Sequence, residues 1–108
     1  MLILYLSTML LCLGIECWPA LAGVDTIPGN YPLTLMPVDE PEYKGSVIAY
    51  KETDTAIYSI HRTYPGREKM YTLPDEKRRF ITNGCINVEP YVYERLVREQ
   101  VNQLEIIQ

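Results

Sequence analysis

Ile81-Thr82-Asn83-Gly84-Cys85-Ile86-Asn87-Val88 is the stretch from which the reading of this chain works outward. A cysteine follows directly on a glycine, which lets the backbone turn sharply and approach a second molecule closely. The sole histidine of the chain, His61, lies upstream of it. One thiol and one imidazole are the minimum set for a cysteine nucleophile with its base. Plainer readings stand beside this one: Cys85 as a small buried hydrophobe, and His61 as a surface residue at a strand end.

Either side of this stretch the pattern is mostly β. Gly45 to Lys51 and Thr55 to His61 carry Val47, Ile48, Tyr50, Ile57, Tyr58 and Ile60, all strand formers. Glu52-Thr53-Asp54 between them is short enough for a hairpin. Ile57, Ser59 and His61 share one strand face, so His61 sits at a rigid strand end from which it can be aimed. Thr63 to Phe80 reads as loop, with turn signals at Tyr64-Pro65-Gly66 and Pro74-Asp75 and a strand or helical turn at Met70 to Leu73. Glu89 to Gln100 is the one convincing helix: Pro90 suits its first turn, and Val92, Leu96, Val97 and Val101 form an apolar stripe. Glu94–Arg98 and Arg95–Glu99 are spaced for i,i+4 pairs. Leu104 to Ile107 reads as a last strand, and Tyr31 to Met36 as a short extended piece in the Pro-punctuated stretch from Gly23 to Pro41.

The motif resembles the signature of the L,D-transpeptidases (YkuD-type), bacterial enzymes that cross-link peptidoglycan through a cysteine. Thr82, Gly84, Cys85, Ile86 and Asn87 match it, with His61 upstream; Asn83 stands where the commonest form has a second histidine, and the spacer from His61 is long. Ile60-His61-Arg62 and Arg79-Phe80-Ile81 are similar to the flanks of one branch of that family, and Thr26 to Leu35 is similar to a strand that leads into its catalytic half. The resemblance implies a mainly β fold, a small β-sandwich, complete or truncated, with one helix after the cysteine motif. It implies an acyl-enzyme on Cys85 with His61 as base, acting on peptidoglycan stem peptides. Gly84, Asn83, Thr82 and Asn87 would support the oxyanion and the loop. Arg62 and Arg79 are weaker candidates for substrate binding; the cluster Lys77-Arg78-Arg79 reads equally as a solvated loop. The alternative is a catalytically inactive or truncated relative that acts as a cell-envelope binding protein.

Totals narrow the field further. With 108 residues the chain is one domain at most, and 47% hydrophobic and 22% charged residues argue against disorder. A net charge of -4 with no long basic run argues against nucleic acid. One histidine and one remaining cysteine cannot make a usual zinc cage, and no cofactor motif is present. Residues 1–22 read as an export signal: Leu2 to Ile15 are almost all apolar, and Ala20-Leu21-Ala22 is a small-x-small cleavage site. No Lys or Arg precedes the apolar run, and an uncleaved membrane anchor is the competing reading. On this reading the catalytic domain is 23–108, exported to the periplasm or cell envelope. Cys12 and Cys17 leave with the signal, so no internal disulfide forms. The strands that precede Thr26 in the family are then missing.

Overall fold

The structure, a computed structural model, describes residues 1–108. The apolar amino-terminal run folds as a three-strand meander: β1 (Leu2–Tyr5), β2 (Leu10–Leu13) and β3 (Glu16–Pro19). β2 runs antiparallel to both neighbours. Gly14, at φ 63°, makes the tight turn between Leu13 and Glu16, where a side chain would be strained. Next come β4 (Gly29–Pro32) and β5 (Thr34–Pro37), then the hairpin of β6 (Ser46–Glu52) and β7 (Ile57–Arg62). A long connection follows, with one 3-10 turn (Glu68–Thr72) and the single-turn helix α1 (Asp75–Arg78). β8 (Ile86–Val88), α2 (Pro90–Arg98) and β9 (Gln103–Ile107) complete the chain.

Two sheets result, ordered β3-β2-β1-β9-β4 and β5-β6-β7-β8. The last strand enters the first sheet between β1, to which it is parallel, and β4, to which it is antiparallel. The expected extended piece around Tyr31 is therefore two strands, one in each sheet, with Leu33 as the link. β8 pairs parallel with β7, and a parallel pair needs a crossover; residues 63–85 supply it. The expected β-sandwich with one helix after the motif is what forms.

Residues 1–22 are where expectation and structure part. Read as a removable leader, they are instead built into the fold, and the catalytic-domain boundary at residue 23 has no counterpart in it. One cluster of 18 buried residues unites the two sheets, and eight of them (Leu2, Leu4, Leu6, Met9, Leu11, Trp18, Ala20 and Ala22) come from this segment. A leader core and a strand meander with one face buried and the other half-covered can share one composition, since both tolerate unbroken apolar runs. Three strands, β1–β3, thus precede Thr26. Cys12 and Cys17 stand opposite each other in the β2–β3 ladder and form a disulfide, so the expectation of no internal bridge is also corrected. No helix is long and apolar enough to cross a membrane.

α2 closes the core from its own side with Val92, Tyr93 and Leu96, and the Tyr93 hydroxyl hydrogen-bonds Ser46 Oγ at 2.8 Å. Arg95 pairs with Glu99 as expected and reaches Glu16 as well. The Glu94–Arg98 pair does not form, because Glu94 is taken by Arg62 on β7.

Burying each large apolar side chain is worth about 1.5–3 kcal/mol, so losing eight core residues removes as much as the whole stability of a domain, about 5–15 kcal/mol. Deletion of residues 1–22 is accordingly expected to give an insoluble or unfolded chain by circular dichroism. A soluble deletion variant that melts cooperatively near the full-length temperature would refute this account of the core.

Candidate active site

The loop that carries Cys85 is seated on the segment just after β3. Leu21 and Asn87 exchange backbone hydrogen bonds at 3.0 and 2.9 Å, and the Ala22 carbonyl accepts from the N–H groups of Ile81 and Thr82 at 2.8 Å each. Asp25 N–H donates to the Asn83 carbonyl at 2.9 Å. The buried Thr26 hydroxyl accepts from Gly23 N–H and donates to the Gly84 carbonyl, both at 3.0 Å. Tyr50 OH donates to the same carbonyl at 2.5 Å. Tyr50 is placed for this by a bulge: Ala49 pairs with Ser59 and Lys51 with Tyr58, so Tyr50 is the extra residue of β6. Thr82 Oγ1 donates to the Cys85 carbonyl at 2.6 Å and closes the turn. With the Asn83 and Gly84 carbonyls held by these partners, the N–H groups of Asn83, Gly84 and Cys85 have no protein acceptor.

Two glycines are demanded by close approach. A Cβ on Gly23 would lie 2.2 Å from the Thr82 carbonyl oxygen, and one on Gly84 would lie 2.7 Å from the Tyr58 ring. The first obstacle is backbone; the second is a half-exposed side chain.

His61, next to last in β7, is in register with Asn87 on β8. It is 2% exposed, between the rings of Tyr43 and Tyr64 at 4.8 and 5.1 Å, whose hydroxyls hydrogen-bond to each other. Nδ1 lies 2.8 Å from the Arg62 carbonyl. A carbonyl only accepts, so Nδ1 carries the hydrogen and Nε2 keeps its lone pair. Asn87 Nδ2 donates to Nε2 at 3.3 Å, while Asn87 Oδ1 accepts from Arg67 Nη1 at 3.0 Å. Burial lowers the His61 pKa, and Arg67 adds to that against the opposing Arg62 hydrogen bond. The imidazole is held neutral.

Cys85 is a free thiol. Burial raises its pKa; the Ser59 N–H, which donates to Sγ at 3.5 Å, and the Arg67 cation act the other way. His61 and Cys85 line one cleft of about 470 Å³ without a hydrogen bond between them. Thr82, Asn83, Gly84 and Asn87 line it too, so six of the residues singled out in the sequence meet there. Arg62 and Arg79 do not. Arg62 is bound to Glu94 and the Tyr43 carbonyl and lies over the Tyr93 ring at 4.2 Å. Arg79 donates to the carbonyls of Gly23 and Thr26. Both clamp the scaffold outside the cleft. Arg78, in the same basic cluster, is buried against the Leu73, Thr8 and Met9 carbonyls. Sequence reasoning missed Arg67, Thr26, Ser59, Tyr43 and Tyr64 as parts of the site; only Tyr64 and Arg67 carried a signal, as part of the turn-rich loop after the histidine.

Cys85 alkylation by iodoacetamide should report the resting protonation state. A neutral thiol beside a neutral imidazole gives a rate that climbs about tenfold per pH unit from pH 6 to 8, since only thiolate reacts. A plateau reaching down to pH 6 would mean a preformed thiolate–imidazolium pair and would contradict the arrangement described. In the scaffold, Gly23→Ala should cost about 3 kcal/mol or more and Gly84→Ala about 1–2 kcal/mol, because overpacking against backbone relaxes least. Chemical denaturation would check the order; equal costs would sink it.

The sequence matches no family model and no curated protein. Solved structures do resemble it. An L,D-transpeptidase from Mycobacterium smegmatis superposes with a TM-score of 0.61 at 14% identity, over 99% of this chain and 58% of the other. The L,D-transpeptidase LdtMt1 in complex with imipenem gives 0.64 at 14% identity, over 98% and 57%. An L,D-transpeptidase from Stackebrandtia nassauensis gives 0.63 at 15% identity, over 99% and 54%. This chain therefore spans little more than half the length of those neighbours, and its fold is that of an L,D-transpeptidase.

Proposed function

We propose that the chain is a cysteine L,D-transpeptidase acting on peptidoglycan stem peptides, with residues 1–22 part of one catalytic domain. The observation that carries this reading is the convergence of Cys85, His61 and three unpaired loop N–H groups on one cleft of the right fold. Cys85 Sγ attacks the carbonyl of the third stem residue as His61 Nε2 takes the thiol proton. The oxyanion is met by N–H groups of Gly84 and Cys85, with Asn83 beside them. Collapse breaks the amide bond, His61 returns the proton to the leaving amine of D-alanine, and a thioester remains on Cys85. An amine of a second stem, or water, then releases it.

A second cavity, of about 190 Å³, shares Ile57, His61 and Cys85 with the first and is otherwise lined by residues such as Met36, Val38 and Val47. Two approaches to one thiol suit a reaction with a donor and an acceptor. The Cys12–Cys17 disulfide suits an oxidising compartment, and the substrate lies outside the cytoplasm; both support an exported, cell-envelope location.

The test is intact-mass spectrometry of the 108-residue protein after exposure to imipenem, the compound bound in one of the neighbours. The expected outcome is an adduct on the wild type, none on Cys85→Ala, and acylation slowed about 10²–10⁴-fold in His61→Ala, the usual worth of a general base. A folded wild-type protein that takes no adduct would reject the acyl-enzyme reading and leave the cleft as a binding site.

A further inference from the structure

Arg67 is the only cationic side chain that lines the Cys85 cleft, and no carboxylate lines it. Every other arginine placed near the site is spent on the scaffold: Arg62 on Glu94, Arg79 on two carbonyls, Arg78 on three. Arg67 forms no ion pair and makes one side-chain hydrogen bond, to Asn87 Oδ1. A guanidinium carries five N–H donors in a planar fork, so most of this one is unspent. The group is nonetheless held in place. It is half-buried, stacked over the Tyr64 ring at 4.7 Å on one side and tied to Asn87 on the other. It is close enough to Cys85 and His61 to act on the charge of both.

A preordered, half-desolvated, unpaired guanidinium beside a nucleophile is a receptor for a carboxylate. We propose that Arg67 is a specificity-determining residue that binds a free carboxylate of the acyl donor, so that the cleft selects peptides with a carboxylate next to the scissile bond over their carboxamides. The proposal rests on the acyl-transfer reading above and names the substrate class for it. Ordering of Arg67 before substrate arrives keeps the entropic cost of the contact small. Two carboxylates meet the description, that of the leaving carboxy-terminal residue and one on the side chain of the residue that is attacked.

The test has two arms on the full-length protein, run on wild type, Arg67→Gln and Arg67→Lys after matched melting temperatures have been verified. The first compares Cys85 alkylation by iodoacetate and iodoacetamide. The wild-type ratio of the iodoacetate rate to the iodoacetamide rate should fall about fivefold in Arg67→Gln, about 1 kcal/mol, the attraction of a water-screened unit pair about 4 Å apart, and should survive in Arg67→Lys. The second compares three tetrapeptides: both carboxylates free, the terminal one amidated, the side-chain one amidated. Amidation of the recognised group should raise KM about 10–100-fold in wild type with kcat little changed, the worth of a charge-assisted hydrogen bond. It should have no effect in Arg67→Gln. The amide that shows this coupling assigns the carboxylate. An unchanged alkylation ratio, or an equal loss on all three peptides, overturns the proposal. If no peptide reacts with wild type while the alkylation ratio still falls in Arg67→Gln, the acyl-transfer reading fails and the anion site stands.

Discussion

Backbone pairing between residues 20–26 and the loop 78–87 is the constraint on which the site depends. Leu21 and Asn87 hold each other, Ala22 carries Ile81 and Thr82, Asp25 carries Asn83, and Thr26 carries Gly84. The two segments can lie this close because Gly23 has no side chain against Thr82. Each bond is modest alone, about 1 kcal/mol net, yet leaving any of these buried groups unmade costs more than making it gains. The pairing therefore fixes the loop as a unit. It also explains why the apolar amino-terminal meander matters to chemistry it never touches: β1–β3 lead straight into the spine on which Cys85 is mounted.

That seating decides the polarity of the loop. Two hydroxyls, from Thr26 and Tyr50, claim the Gly84 carbonyl, and a third, from Thr82, claims that of Cys85. The Gly84 carbonyl shares its peptide plane with the Cys85 N–H, and the Asn83 carbonyl, held by Asp25 N–H, shares one with the Gly84 N–H, so both N–H groups are turned away from these partners and left unpaired. The β6 bulge that frees Tyr50 from the ladder and the absence of a Cβ on Gly84 beside Tyr58 serve the same end. The imidazole is fixed by equally local means. The Arg62 carbonyl sets its tautomer, two tyrosine rings set its plane, and Asn87 meets its free nitrogen. One histidine can thus be fully oriented although Asn83 stands in place of a second.

Much of this was legible in the sequence because it rests on short-range signals. Strand formers at alternate positions located β6 and β7 within a residue or two, Pro90 and the Val92–Leu96 stripe located α2, and the flanks of Cys85 located the nucleophile loop. Legibility ended where one pattern serves two physical purposes. Leu2 to Leu13 is apolar at nearly every position, as a leader core must be and as strands with one face buried and the other half-covered can be. Ala20-Leu21-Ala22 has the small-x-small pattern of a cleavage site, and the same residues are fully buried beneath the cysteine loop. The glycine-centred spacing of Cys12 and Cys17 was the signal that favoured a hairpin. The positions of Arg62 and Arg79 outside the cleft were not legible for a related reason: a guanidinium looks alike in sequence whether its partner is a substrate or a backbone carbonyl of the same chain.

The charge on Arg67 bears on how the cysteine and histidine share a proton. Transfer from Cys85 to His61 creates a thiolate and an imidazolium together. A cation beside both stabilises the first and destabilises the second, and Arg67 lowers the pKa of each. What drives the transfer is the difference between the two pKa values, and a shift common to both leaves that difference nearly unchanged. Burial works differently, raising the thiol and lowering the imidazole, so it widens the gap and holds the resting pair neutral. The effects of an arginine at this position on the two groups therefore oppose each other in the proton transfer, while it keeps a positive charge in a cleft lined by no other cationic side chain. Neutralising it with a bound carboxylate is correspondingly harmless to the chemistry. A cation that is nearly silent in the proton transfer but strongly attractive to an anion is suited to recognition, and its place between Asn87 and Tyr64 puts that recognition next to the bond to be broken.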